Sequence, residues 1–275
     1  MTGEGAARIV VVGSGWRAEY FFRIARALPD RFEIVGVVVR RREEVERLAA
    51  QENLTAVTDL GRIGVFEPDF VVVATPAEAN AATCEALVSD GHAVLLETPP
   101  GVTDDELDRI LELQDRGARI QVAEQYRYQP LLAARLAVID SGLLGTVTSA
   151  HISVAHGYHG VALLRAALGT GIGEVGVTAH EHRSTIVAGP GRAGPPTTDA
   201  LEPSKQTVAV VRFGTQLGIH DWCDDQYFSW VRSLRFIVRG THGELDGHEV
   251  RYIRSDGEPV HQTLRRWDTG LEGNL

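Results

Sequence analysis

Apolar residues fall along this chain in two rhythms. Between residues 7 and 122, short runs rich in valine and isoleucine (8–12, 33–39, 70–74, 93–97 and 119–123) alternate with stretches 16–28, 42–52, 78–89 and 104–116. In those stretches apolar residues recur at helical spacing. The runs are continuous rather than alternating, which predicts strands buried on both faces, and so a parallel sheet flanked by helices. The strand–helix alternation predicts a doubly wound α/β domain over residues 1–123. After Pro130 the rhythm changes. A helix over 131–141, closed by Gly142, is followed by strand-like segments at 147–154, 173–186, 206–213, 216–223, 233–239, 249–254 and 260–266. One helical stretch, 158–168, interrupts them, and turns such as Phe213-Gly214-Thr215 and Ser255-Asp256-Gly257 punctuate them. Helices segregated from consecutive strands predict an α+β domain with a mostly antiparallel sheet over residues 124–275. Residues 188–205, dense in Gly and Pro, read as a lid or a connecting loop. The chain carries no internal repeat.

The first strand runs into Gly13-Ser14-Gly15-Trp16-Arg17-Ala18 and then a helix. The first glycine permits a tight turn, and the second lets a pyrophosphate approach the backbone at the helix N-terminus. The third position needs only a small residue for close helix–strand packing, which Ala18 supplies. Glycines also serve plain turns, but a strand before and a helix after are the context a dinucleotide requires. In NAD-binding sheets the second strand ends in an acidic residue; here it ends Val39-Arg40-Arg41-Arg42. An arginine can pair with a 2′-phosphate and stack on adenine, so Arg40, with Arg41 beside it, favours NADP(H) over NAD(H). The plainer reading puts Arg41 and Arg42 on a solvated helical turn balanced by Glu43, Glu44 and Glu46. The ends of later strands, Ala74-Thr75-Pro76 and Glu97-Thr98-Pro99-Pro100, should line the crevice. The prolines are explained by fixing the chain's exit from each strand. Glu97, a carboxylate ending a buried strand, needs a partner.

Composition narrows the classes of function. The chain is 44% hydrophobic and 23% charged, which is ordinary globular composition, and its length suggests two domains. Thirty-seven acidic against 27 basic residues give a net charge of −10, which argues against nucleic acid or an anionic membrane surface as partner. Cys84 and Cys223 stand far apart in no metal-ligand spacing, which fits a reducing compartment. The N-terminus lacks a signal pattern and no apolar run reaches bilayer length, so a cytoplasmic protein is expected. Lys205 is the single lysine among the 27 basic residues, so lysine chemistry is nearly absent.

Several motifs together resemble the glucose–fructose oxidoreductase / inositol dehydrogenase / MocA (Gfo/Idh/MocA) family over essentially the whole chain. They are the Gly13–Ala18 turn, Ala74-Thr75-Pro76, the stretch from Gly91 to Pro99, Arg127-Tyr128-Gln129-Pro130, Ser141-Gly142-Leu143-Leu144-Gly145 and Gly157-Tyr158-His159. The resemblance implies a Rossmann domain followed by an α/β domain whose large open sheet commonly mediates oligomerisation, hence a homodimer or homotetramer. It also implies NAD(P)-dependent oxidation or reduction of sugars, polyols or similar compounds. Cofactor-binding positions would be Gly13, Ser14, Gly15, Trp16, Arg17, Arg40, Arg41, Thr75, Pro76, Asn80, Glu97 and Gln125. The departures are specific. The family's Glu-Lys-Pro is Glu97-Thr98-Pro99 here, so Thr98 replaces a lysine that contacts the reacting oxygen. Aspartates usual before and after the family's histidine are Ala155 and Ala162, whereas Gly157 and His159 match. Asn80 stands where a histidine often follows the Thr-Pro turn. The family's usual length implies a closing segment beyond Leu275.

Hydride transfer to or from a carbonyl needs a group that gives or takes a proton at the oxygen. Histidine titrates near neutrality, and His159, opening a helix in the second domain, is the first candidate. Tyr158 could donate to the same oxygen, and His156 shares a helical turn with His159. The Thr98 hydroxyl could orient substrate or water but is no acid or base at neutral pH. His156/His159 and His180/His182, with Asp221, Asp224 and Asp225, match no established zinc spacing, and no metal is expected. Trp222, Tyr227, Phe228 and Trp230 could wall a substrate or an oligomer face, or simply pack the sheet. Two classes of function follow: an NADP(H)-preferring oxidoreductase of a small carbonyl, hydroxyl or imine substrate, and a catalytically silent dinucleotide-binding sensor or interaction protein. A redox-neutral enzyme that keeps its cofactor lies between them.

Overall fold

The computed structural model describes residues 5–171, 173–191 and 194–265. The chain forms two compact units, Met1–Glu124 and Gln125–Leu275. The first contains β1 (Ala7–Val12), α1 (Trp16–Ala27), β2 (Phe32–Val38), α2 (Arg42–Glu52), β3 (Ala56–Val57), β4 (Phe70–Val73), α3 (Ala77–Ser89), β5 (Val94–Leu96), α4 (Asp104–Asp115) and β6 (Ile120–Val122). Its six strands lie parallel in the order β3-β2-β1-β4-β5-β6, so the winding reverses between β1 and β4. The two-residue period of a strand sends alternate side chains to opposite faces. Ile9, Val11, Val37 and Val72 therefore meet Phe22 of α1 and Leu48 of α2. Val10, Val12, Val71, Val73 and Leu96 meet Leu87 of α3 and Ile110 of α4. Each such burial stabilises by roughly 1.5–3 kcal/mol, and a one-residue slip would exchange the two faces. Continuous apolar strands are the direct result.

The second unit contains α5 (Pro130–Asp140), β7 (Val147–Ser153), α6 (Gly157–Leu168), β8 (Gly176–Val187), β9 (Leu201–Phe213), β10 (Gln216–Cys223), β11 (Arg235–Gly240), β12 (Gly243–Asp246), β13 (Glu249–Ile253) and β14 (Pro259–Thr263). They form one eight-stranded sheet, β14-β13-β12-β11-β7-β10-β9-β8, antiparallel except for the β7–β10 pair. Helix α6 packs on β7 and β10 through Leu163 and Leu164, which share a core with Ile152, Phe236 and Val238. Two glycines let it approach. A Cβ on Gly218 would lie 2.6 Å from the Leu164 side chain, and one on Gly160 would lie 2.2 Å from the His220 ring.

The expected elements are present with their ends moved by a few residues, apart from a few differences. β3 and β12 are too short, and β12 too glycine-marked, to show a period. Residues 60–66, for which the sequence pattern predicts no element, form a 3₁₀ segment. The expected loop 188–205 is shorter, because Leu201–Lys205 belongs to β9 and pairs with β8. Pro203 is tolerated there because β10 pairs with β9 only as far as Gln206, leaving Pro203 a single neighbour strand. The end of the expected strand 260–266 lies outside the described residues. Among the described residues, no helix is long and apolar enough to cross a membrane.

Replacing a helical glycine by alanine ordinarily stabilises by about 1 kcal/mol. At Gly160 the sign should reverse, because the added carbon meets both the His220 ring and, at 2.6 Å, the Ala155 carbonyl oxygen. Chemical unfolding of Gly160→Ala should show a loss of about 1–3 kcal/mol; a gain would mean that α6 does not sit this close to β10.

Candidate functional site

The turn between β1 and α1 is shaped by two different constraints. Gly13 has φ +126°, and a Cβ there would stand 2.3 Å from the Ala74 carbonyl oxygen, so the protein itself requires glycine. Gly15 has φ −80°, and a Cβ there would meet nothing within 4 Å. No internal contact demands a glycine at that exposed position; close approach of a ligand to the backbone would. Ala18 is fully buried where α1 leans on the sheet. No side chain caps the start of α1, whereas α4 begins with a complete capping box of Thr103 and Glu106. An uncapped helix start carries outward N–H groups and the positive end of the helix dipole, a natural seat for a phosphate. The turn thus fits a dinucleotide diphosphate.

Arg17, on the first turn of α1, reaches the tip of β5. Its Nη2 donates to Glu97 Oε1 at 2.6 Å, and its guanidinium lies 5.5 Å from the Trp16 ring centroid and 5.1 Å from that of Tyr20. Glu97 is only 4% exposed, so Arg17 is the partner its buried carboxylate needs. The buried Nε of Arg17 has no hydrogen-bond partner among the described residues. Asn80, 1% exposed, accepts from Thr75 Oγ1 at 2.8 Å and donates to the Glu97 and Pro99 carbonyls at 3.2 and 2.8 Å. Asn80, expected as a cofactor contact, thus lies at the strand ends with its amide tying Thr75 to the Glu97 and Pro99 carbonyls. Thr98 is half-buried, its N–H 3.3 Å from Glu97 Oε2, and Pro76 is exposed.

At the tip of β2, Arg40 is exposed and makes no ion pair among the described residues. Arg41 instead pairs with Glu44 at 3.3 Å, and Arg47 donates to the same carboxylate at 2.9 and 3.1 Å. Glu44 also meets Ser14 of the turn. The hydrogen bond from Arg47, then that from Ser14, holds its carboxyl below the usual carboxylate range. The sequence marks Glu44 only as a counter-charge for the neighbouring arginines. Its place three residues after Arg41 and three before Arg47 was visible; its contact with Ser14 was not.

In the second unit, His156 occupies the N-cap position of α6 and His159 is 8% exposed on its first turn. The His159 ring centroid lies 4.5 Å from Tyr158, 4.8 Å from Tyr126 and 5.0 Å from His156. Tyr227 joins them: its hydroxyl accepts from the His156 backbone N–H at 3.3 Å and from the Tyr126 hydroxyl at 2.9 Å. Tyr227 stacks edge-on against Trp222, whereas Phe228 and Trp230 are exposed. Its loop is fixed by buried Gln226, whose amide bonds Ser153, the Ser233 carbonyl and the Cys223 N–H at 2.8–3.1 Å. Gln125 opens this unit and caps a short 3₁₀ turn without a side-chain hydrogen bond. Among the described residues no group of three or more His, Cys, Asp or Glu is placed to hold a metal ion.

The chain is similar to several known proteins. Residues 7–124 match the Gfo/Idh/MocA family, described as an oxidoreductase family with an NAD-binding Rossmann fold. Inositol 2-dehydrogenase 2 of Saccharopolyspora erythraea is 31% identical over 217 residues, which cover 74% of this chain and 63% of that protein. The chain thus spans less than two thirds of that relative's length. An NAD binding oxidoreductase from Klebsiella pneumoniae superposes with TM-score 0.67 at 17% identity, covering 94% of this chain and 79% of that one. Levoglucosan dehydrogenase, in complex with NADH and L-sorbose, superposes with TM-score 0.69 at 15% identity, covering 95% and 80%. The first unit thus matches the Gfo/Idh/MocA family model, and the solved structures share the chain's fold.

Beneath α6, His220 is 5% exposed and its Nδ1 lacks a hydrogen-bond partner among the described residues. Burial, reinforced by nearby His156 and His151 and opposed by the Ile152 backbone and Asp221, pushes its pKa below the ordinary value. A histidine kept neutral by folding stabilises above its unfolded pKa of about 6.5, and that contribution is lost as pH falls through 6.5 toward the folded value. Between pH 7.5 and 5, denaturant unfolding should therefore show wild type losing more stability than His220→Gln. Parallel losses in the two proteins would mean that His220 binds its proton equally well folded and unfolded.

Proposed function

We propose that this protein is a nicotinamide-dinucleotide-dependent oxidoreductase acting on a small sugar-like hydroxyl or carbonyl compound, or on an imine. The observation that carries the reading is the uncapped start of α1, where Gly15 is open for no internal reason. The family match over residues 7–124 supports it. The first unit would hold the diphosphate on the Gly13–Arg17 turn, with Thr75, Pro76 and Glu97 framing the nicotinamide side. When bound, the cofactor supplies a hydride donor or acceptor. His159, with Tyr158, would hold or release the proton at the substrate oxygen, and the Thr98 hydroxyl would orient that oxygen. Self-association through the second unit's sheet accords with β8, which is exposed along nearly its whole length.

NADP(H) is the preferred form in this reading, because Arg40, exposed at the tip of β2 and without an ion pair among the described residues, can meet a 2′-phosphate. One observation favours NAD(H) instead: the Glu44 carboxylate sits against Ser14, where an added phosphate would be repelled.

Titration calorimetry with NADPH and NADH should show micromolar or tighter binding of at least one. Steady-state assays over polyols, sugars, aldehydes and imines should then find turnover. His159→Ala should lower kcat at least 100-fold while nucleotide affinity stays within about twofold. Turnover unaffected by His159→Ala removes that residue from the proton path. Tight binding without turnover of any substrate favours the silent sensor.

A further inference from the structure

Oxidised and reduced nicotinamide dinucleotides differ by one unit of charge, carried on the nicotinamide ring. A fixed protein charge near that ring therefore sets which form binds more tightly. In a sheet wound as this one is, the diphosphate sits at the first strand–helix turn and the adenosine ribose at the tip of β2. The tips of β4 and β5 are left for the nicotinamide half.

Arg17 connects the two halves. Its backbone is on the diphosphate turn, and its guanidinium is bonded to Glu97 at the tip of β5. Without that bond, Glu97 would present a buried negative charge on the nicotinamide side. Among the described residues no other cation pairs with Glu97: Thr98 stands beside it, and Lys205 is held in the second unit by Glu181 and Asp224, at 3.5 and 3.8 Å. Arg17 also keeps a buried Nε–H with no acceptor among the described residues. A phosphoryl or ribose oxygen arriving from the crevice would satisfy it.

We infer that the Arg17–Glu97 pair is the redox-state selector of the dinucleotide site. Arg17 cancels the Glu97 charge, which lets the uncharged reduced ring bind without penalty against the cationic oxidised one. The inference rests on the dinucleotide reading above and deepens it. It concerns the ratio of two affinities, which a merely structural ion pair would leave alone.

The test is titration calorimetry of the whole chain with NAD+ and with NADH, for wild type, Arg17→Met, Arg17→Lys, Glu97→Gln and the double variant Arg17→Met/Glu97→Gln. Arg17→Met should raise the ratio Kd(NADH)/Kd(NAD+) about tenfold (~1.4 kcal/mol). Glu97→Gln should lower it by a similar factor. Arg17→Lys and the double variant, each with the charge balance restored, should return the ratio to within about threefold of wild type. If Arg17→Met does not fold, Glu97→Gln and Arg17→Lys carry the comparison. Variants whose two affinities change together, with the ratio held within twofold, overturn the inference and leave the dinucleotide reading standing. If wild type binds only the 2′-phosphorylated pair, the same ratio is read with NADP+ and NADPH; wild type that binds none of the four nucleotides overturns both.

Discussion

A helix that starts at the edge of a buried strand must find acceptors for its leading N–H groups, and α1 receives none from a capping side chain. That unmet requirement organises the first unit. Gly13 brings β1 against the end of β4, Ala18 lets the helix lean on the sheet, and Gly15 keeps the approach to the helix start open. Helix α4, by contrast, closes its own start with a capping box. Arg17 extends the positive end of α1 outward to Glu97, so a buried carboxylate and an uncapped helix are joined in one electrostatic arrangement. Asn80 holds the two strand tips on which that arrangement depends.

The second unit meets a different constraint: a helix must lie close enough to a sheet to fix a cluster of rings at its first turn. Gly160 and Gly218 supply the closeness, and His220 fills the space beneath. Gln226 then fixes the loop that places the Tyr227 hydroxyl on the His156 N–H. In each unit a buried amide side chain with nearly all its hydrogen bonds satisfied holds the elements around the residues assigned to chemistry. Such fully satisfied polar groups rigidify a core without leaving a desolvation penalty.

What could be read in the sequence followed from how local each signal was. Strands buried on both faces write their burial as unbroken apolar runs, and the glycine turn between β1 and α1 is complete within six residues. The short strands Ala56–Val57 and Gly243–Asp246 carry too few residues for a period. Pro203 masked the start of β9 because its lone neighbour strand is a tertiary fact. The same limit applies at the site. Gly13, Gly15 and His159 stood out by motif. The Glu44–Ser14 contact, the Gln226 staple, the buried place of His220 and the supporting role of Asn80 all depend on residues far apart in sequence.

The account turns on a ligand, not the fold, being the reason for glycine at position 15. Its most direct test compares Gly15→Ala with wild type in NADH and NADPH calorimetry and in chemical unfolding. A methyl that meets no protein atom should leave unfolding stability within about 1 kcal/mol, while affinity for the bound nucleotide falls at least tenfold. Undiminished nucleotide affinity in a stably folded Gly15→Ala protein would contradict the account.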